Sequence, residues 1–348
     1  MIRLQRSLAA GLYEALPNPA AVIQALQSAV ELEHATIPVY LYGLYSLDES
    51  RNPEIADILR SVVIEEMLHM TLASNVLNAL GGDSEVGNPG FVPNFPGPLP
   101  GGVESELVVH LAPFSMDQLQ TFLTIERPEQ PLEFPVLKAA TGAEPITIGE
   151  FYTAISRAIG QLGDSAFVKP PRNQVGPDLM DGSIVVTDVA SAQEALRIII
   201  EQGEGTSTSP EEIDGDEVAH YYRFLQIEKG RLLVETPGQP PGWAYAGAPI
   251  KFDPAGVYAV PTDPAYPKPY PPGSAQAMAN DNFNYTYTSL LLALRGLFSG
   301  NATNTQMNRA IGLMMSLKGQ AKAMMAGIPN PAVLTGPSFQ YQPVNPAG

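Results

Sequence analysis

The sequence predicts a mainly α fold: a four-helix bundle with long irregular insertions, a few short strands and extra C-terminal helices. Two long stretches repeat apolar residues in steps of three and four, the period that puts them on one helical face. The first stripe is Ile23, Leu26, Val30, Glu33, Ile37, Tyr40 and Leu44; the second is Ile55, Leu59, Val62, Glu66, His69, Ala73, Val76 and Leu80. Ionisable residues interrupt both stripes where core is expected. Burying a carboxylate or an imidazole is unfavourable unless something compensates its charge and fills its hydrogen bonds. Segments of β character, "ELVVHLAPF" and "SIVVT", are short and isolated.

The first helix is expected over "PAAVIQALQSAVELEHATIPVYLYGLYSL", with Pro38 able to kink it one turn after Glu33. "DESRNPE" turns the chain into the second helix, "VVIEEMLHMTLASNVLNALGG" carries its seam, and a Pro/Gly-rich loop ends it. These two form an antiparallel hairpin. Within an insertion at 82–147, Ser115 and Gln118 have the spacing of a capping box and open a short helix through about Ile125. A further helix fits "TIGEFYTAISRAIGQLG". After a second insertion at 163–189, Ser191 and Glu194 repeat the capping-box spacing ahead of "ALRIIIEQGEG". The polar loop "TSTSPEEIDGD" then leads into "EVAHYYRFLQIEKGRLL", where Ile213, Glu217, His220, Phe224 and Ile227 share a stripe. Residues 1–234 thus form the bundle. Residues 235–348 form a Pro/Gly-rich connector and two C-terminal helices, "FNYTYTSLLLALRGLFSG" and "QMNRAIGLMMSLKGQAKAMMAG", expected to pack on it.

Composition narrows the function. A chain of 348 residues with 45% apolar content can bury a large core. Its net charge of −17, with no run of Lys or Arg, argues against nucleic acid as a partner. No apolar run is long enough to span a bilayer, so no membrane partner is expected and the cytoplasm is the expected compartment. The absence of Cys removes disulfides, thiolate metal sites, iron–sulfur clusters and Cys nucleophiles together.

Two Glu-x-x-His pairs stand out, Glu66 with His69 and Glu217 with His220. At that spacing carboxylate and imidazole share a helix face. Glu33 and Glu201 would supply one carboxylate from each of two further helices, which completes the ligand set of a ferritin-like dinuclear metal bundle. The level also agrees. Glu33 and Glu66 are centred in "DESRNPE", and Glu201 and Glu217 in "TSTSPEE", so each pair lies equally far from its turn. Glu150 and Glu204 compete with Glu201 for the same role.

The plainer reading is a polar seam neutralised by Lys or Arg. The first helix has neither and Arg60 lies off the Glu66 face, but Arg197 and Arg223 are available to the later pair. Carboxylates and imidazoles without thiolate suit two iron ions, with manganese or zinc as alternatives. His34 falls one helical step from the Glu33 stripe, as an outer neighbour of the site or a surface residue. His110 reads as a structural histidine. Tyr40, Tyr42, Tyr221 and Tyr222 read as core or cavity wall, and Met67 as part of the cavity beside the site. Met307, Ile311, Met314 and Met315 make an adaptable apolar face.

The segments "ELEHATIPVYLYGLYSL", "VVIEEMLHMTLASNVLNALGG", "PGPLPGGV", "HLAPFS", "TIGEFYTAI", "IIEQGEGT" and "AHYYRFLQI" resemble the ferritin-like family named after iminophenyl-pyruvate dimer synthase. The resemblance covers roughly residues 20–230, with "FNYTYTSLLLAL" and "GPSFQYQP" similar further on. Family members in violacein- and rebeccamycin-type pathways join two amino-acid-derived imines oxidatively and are much longer chains. The resemblance implies a ferritin-like bundle with metal at the positions above. The expected function is a di-iron oxidoreductase acting on a small organic substrate, an amino-acid-derived imine among the candidates, with dioxygen or peroxide. A non-catalytic bundle with a structural or interaction role is the alternative, metal storage is a weaker third, and a homo-oligomer is left open.

Overall fold

The computed structural model describes residues 9, 11–14, 16–100, 107–128, 147–205, 210, 217–238 and 242–342. Eight α-helices and one two-stranded sheet are found among them. Helices α1 (Pro19–Tyr45) and α2 (Pro53–Ala79) have 27 residues each, about 40 Å at 1.5 Å per residue. Each opens with Pro in its first turn, where no backbone donor is lost. The two pack along each other as a hairpin, and α1 runs through Pro38 without ending. Most of each predicted stripe is buried: Leu26, Val30, Glu33, Tyr40 and Leu44 on α1, and Ile55, Leu59, Val62, Glu66, His69, Ala73 and Val76 on α2, while Ile23, Ile37 and Leu80 are only partly buried.

Helix α3 (Met116–Glu126) begins where expected, with the Ser115 side chain accepting from the Gln118 backbone. Helix α4 (Ile148–Leu162) opens with a full capping box of Thr147 and Glu150. That bond commits the Glu150 carboxylate to the helix end. Helix α5 (Val189–Glu204) starts earlier than expected, because Asp188 is the cap and Ser191 is the third residue of its box. Helix α6 (His220–Lys229) is short: Gly230, in the left-handed region at φ 67°, turns the chain out of the helix into β1 (Arg231–Glu235). Strand β1 pairs antiparallel with β2 (Trp243–Pro249). This hairpin occupies a segment expected to continue the last bundle helix and then become connector. The division at 234 falls inside it.

The two strand-like segments are not strands in their described parts. "ELVVHLAPF" forms only a bridge at Val109 to Gly97. "SIVVT" is fixed instead by side chains: the Asn75 amide donates to the Ile184 carbonyl at 2.9 Å and Gln174 accepts from the Val186 backbone at 2.9 Å, while Asn75 and Asn78 also donate to the loop carbonyls of Val175, Asn173 and Phe298. Buried Asn residues on α2 thus satisfy loop backbone that a sheet would otherwise have to pair.

Helix α5 packs on α2 and α4, α4 also on α1, and α6 against α3, α5 and α2. Helices α7 (Ala275–Phe298) and α8 (Asn304–Ala326) pair with each other and lean on α2 and α1 respectively. No helix among the described residues is long and apolar enough to cross a membrane.

Candidate metal centre

One face of α1 and one face of α2 meet at the interrupted stripes. Glu33, Thr36 and Tyr40 come from α1, and Glu66 and His69 from α2. An aromatic triad brings α3 and α6 to the same level, with ring centroids 4.9 Å apart for Tyr40–Phe122 and 5.4 Å for both Tyr40–Phe224 and Phe122–Phe224. Gly43 allows this approach, since a Cβ there would lie 3.1 Å from the Phe122 ring. One turn beyond Phe122, α3 delivers Glu126, whose carboxylate accepts from the Tyr40 hydroxyl. His220, the first residue of α6, completes the group.

Both imidazoles are turned the same way. His69 places Nδ1 3.5 Å from Glu33 Oε2 and Nε2 2.9 Å from Gln202 Oε1 on α5. His220 places Nδ1 3.0 Å from Glu66 Oε1 and 3.6 Å from Glu126 Oε2, with Nε2 3.0 Å from Glu65 Oε2. The rings stack with centroids 5.3 Å apart. Each Nε2 thus has an acceptor on the outer side, which sets the tautomer that leaves the Nδ1 lone pair facing inward. His220 Nδ1 is buried and makes no hydrogen bond, although Glu66 Oε1 is beside it. Nitrogen and oxygen converge there at 3.0 Å, a separation that two ligands of a common ion can share.

The electrostatics point the same way. Glu33, Glu66, His69 and His220 are each no more than 6% exposed. Burial first, then Glu126 and Glu33, pushes the Glu66 carboxyl up to about 7. Burial works against protonating His220, but Glu126, Glu65 and Glu66 outweigh it and lift the imidazole well above its ordinary range. His69 is likewise raised by Glu33 and Glu66 against burial. In Glu33, His69 and the Tyr152 hydroxyl more than offset burial, and the pKa falls. A cluster that retains protons on its imidazoles and one carboxylate is short of positive charge. Arg223 does not supply it: its guanidinium binds Glu65, Glu217, Ser61 and the Val218 carbonyl, and with His220 it brings Glu65 down to about 2 against burial.

Among the described residues, Glu66, His69 and His220 form a buried group whose ligand atoms all lie within 4.8 Å of one another. Glu33 and Glu126 adjoin it. Carboxylates and imidazole nitrogens are the donor set that iron or manganese takes, so the residues present fit a metal.

Four of the six sequence-predicted positions, Glu33, Glu66, His69 and His220, come together, and two do not. Glu201 is held by Arg197 at 3.1 Å on the outer side of α5, because the buried phase of that helix, Ala192, Ala195 and Ile199, continues to Gln202. Glu217 precedes α6 rather than lying on it, so the helical Glu-x-x-His geometry is absent; its carboxylate is 56% exposed and pairs with Arg223 at 2.9 Å. The Glu204 side chain and Ile213 lie outside the described residues. Sequence reasoning missed Glu126, Glu65, Gln202, Thr36 and Tyr152. Glu126 carried a signal: Leu119, Phe122 and Glu126 make the same interrupted stripe as Glu33 and Glu66.

A pocket with about 40 Å³ of open space lies against Glu33, Glu66, His69 and Glu126, walled by Ile125, Ile148, Ile199 and Tyr152. Tyr40 and Tyr152 hold their protons, since burial and the neighbouring carboxylates raise both far above the usual phenol range. Met67 does not line this pocket. His34 is neither surface nor outer neighbour: it is buried, and its Nε2 bonds the Tyr287 hydroxyl at 2.8 Å. His110 is tied to Asp263 at 2.5 Å.

Comparison with known proteins agrees with this architecture. The chain is 25% identical, over a 267-residue alignment, to dichlorochromopyrrolate synthase of Lentzea aerocolonigenes. The match covers 59% of this chain and 24% of that one, so the chain spans about a quarter of that relative's length. The crystal structure of a ferritin-like protein from Caulobacter vibrioides superposes with a TM-score of 0.60 at 23% identity, covering 92% of this chain and 97% of the other. The family model described as Ferritin-like matches residues 26–229, the part of the chain that carries α1 to α6, and the chain belongs to that family.

Proposed function

We propose that this protein is a di-iron oxidoreductase that oxidises a small amino-acid-derived imine with dioxygen or peroxide. The observation that supports it most is the inward convergence of two imidazole Nδ1 atoms with Glu33, Glu66 and Glu126 in a buried site short of positive charge. The likeness to dichlorochromopyrrolate synthase supports a biosynthetic oxidation rather than storage.

Glu33, Glu66, His69, Glu126 and His220 would hold the metal, which supplies electron transfer between substrate and oxidant. The conversion removes two electrons and two protons from the substrate and delivers them to dioxygen, giving hydrogen peroxide, or to hydrogen peroxide, giving two waters. Gln202 and Glu65 keep both Nδ1 lone pairs inward. The Thr36 hydroxyl, 2.9 Å from Glu66 Oε2 and 2.8 Å from the Glu33 carbonyl, fixes the Glu66 carboxylate. Tyr152 and Tyr40 orient Glu33 and Glu126 and keep their own protons at neutral pH. Ile125, Ile148 and Ile199 exclude bulk water from the reacting end of the substrate.

The test is anaerobic reduction of iron-loaded protein, then exposure to air or peroxide with aromatic 2-imino acids present. Visible absorbance should change on oxidation and the imino acid should be consumed in step. Iron that is bound but inert to both oxidants would overturn the enzyme reading in favour of a structural centre.

A further inference from the structure

Glu33 and Glu66 face the metal pocket; their chain neighbours His34 and Met67 do not. One residue turns a helix by about 100°. The stripe so displaced, His34 and Leu41 on α1 with Met67 on α2, lines a second cavity of about 110 Å³, closed on its other side by Tyr287 and Leu294 of α7 and Met314 of α8. The α1–α2 pair therefore separates two cavities of opposite character. The first is lined by carboxylates and imidazole; the second has no charged side chain in its wall.

The second cavity is wide enough for water but poorly suited to it, because a buried water needs two to four polar partners and this wall is almost wholly aliphatic, thioether and aromatic. Apolar cavities of about 150 Å³ stay dry and bind benzene. The wall's polar side chains are Tyr45, about three turns along α1, and the His34–Tyr287 pair at the other end. There His34, 3% exposed, bonds the Tyr287 hydroxyl through Nε2 at 2.8 Å, and both side chains line the cavity. Met67 and Met314 can reshape around a ring.

We infer that the cavity between α1, α2, α7 and α8 binds a small neutral aromatic molecule of one ring, with one polar atom placed at the His34–Tyr287 pair. The site is distinct from the metal centre, shares none of its donors, and goes beyond the proposed oxidation. A phenol is the simplest fit, since its hydroxyl can join the hydrogen bond that His34 Nε2 and the Tyr287 hydroxyl already share. A carboxylated ring is disfavoured, because no cation in the wall offsets its charge.

Binding of 4-fluorophenol, 4-fluorotoluene and 4-fluorobenzoate to the full chain, followed by fluorine NMR, tests this. The phenol should bind, the toluene more weakly, and the benzoate not at all. Leu294→Trp should weaken phenol binding at least tenfold, as should Met314→Phe, the milder filling variant that serves if the first does not fold. His34→Phe should remove the preference for phenol over toluene. His69→Ala should leave phenol binding unchanged whether or not metal is present, which keeps this result separate from the metal reading. Failure of the phenol to bind at millimolar concentration, or equal binding to wild type and both filled variants, would overturn the proposal.

Discussion

Burial holds the His34 imidazole down at about 3, against an ordinary value of 6.5. Between those two pH values the unfolded chain takes up a proton at this residue and the folded chain does not, so stability falls as pH falls. The contribution is intact above pH 6.5 and is lost at up to about 1.4 kcal/mol per unit through that window. His34→Gln should show a shallower loss of stability than wild type between pH 6 and 4 in urea titrations, the difference isolating this group from the general protonation of carboxylates. A second contrast separates carboxylates that converge on the centre from those that do not. Glu126→Gln should lower the iron content by half or more, whereas Glu201→Gln and Glu217→Gln should leave it near wild type. Elemental analysis of the purified variants reads both outcomes.

At the scale of elements, the placement of α3 and α6 rests on the Tyr40–Phe122–Phe224 triad. Phe122→Ala removes a fully buried ring and should destabilise the protein by about 3–5 kcal/mol, and α3 should loosen enough to lower iron occupancy through Glu126. Denaturant midpoints and metal content on the same preparation check the pair of effects. Arg223→Met leaves the largely buried Glu65 with His220 alone of its two ionic partners and should also destabilise by a few kcal/mol. Which elements the sequence reveals follows from where their signals lie. Helices α1 and α2 are legible because their stripes are long and most members are buried. The start of α5 is not, because Asp188 and Ser191 both satisfy cap chemistry and only tertiary packing selects between them. "SIVVT" has strand composition but no strand beside it; Asn75 takes its place as the hydrogen-bond partner. The β1–β2 hairpin is concealed because its first strand follows the helix directly, in "LQIEKGRLLVE", where Gly230 alone marks the change.

Taken as a whole, the molecule brings side chains from six helices to one level: Glu33, Thr36 and Tyr40 from α1, Glu66 and His69 from α2, Glu126 from α3, Tyr152 from α4, Gln202 from α5 and His220 from α6. Glu33, Glu66, His69 and His220 were legible in sequence, since each interrupts an apolar stripe with few cations near enough to neutralise it. Glu201 and Glu217 misled because residue type was followed ahead of helical phase: Gln202, a neutral amide, holds the inward position on α5. Glu126 is placed by the third dimension, where the insertion that carries α3 folds back against α6. The measurement that bears on the metal centre with least ambiguity is anomalous diffraction at the iron edge from crystals of protein expressed with ample iron. Peaks are expected within bonding distance of His69 Nδ1 and His220 Nδ1, with Glu33, Glu66 and Glu126 around them. A map without anomalous signal there, or with the signal at Glu201 or Glu217, would refute it.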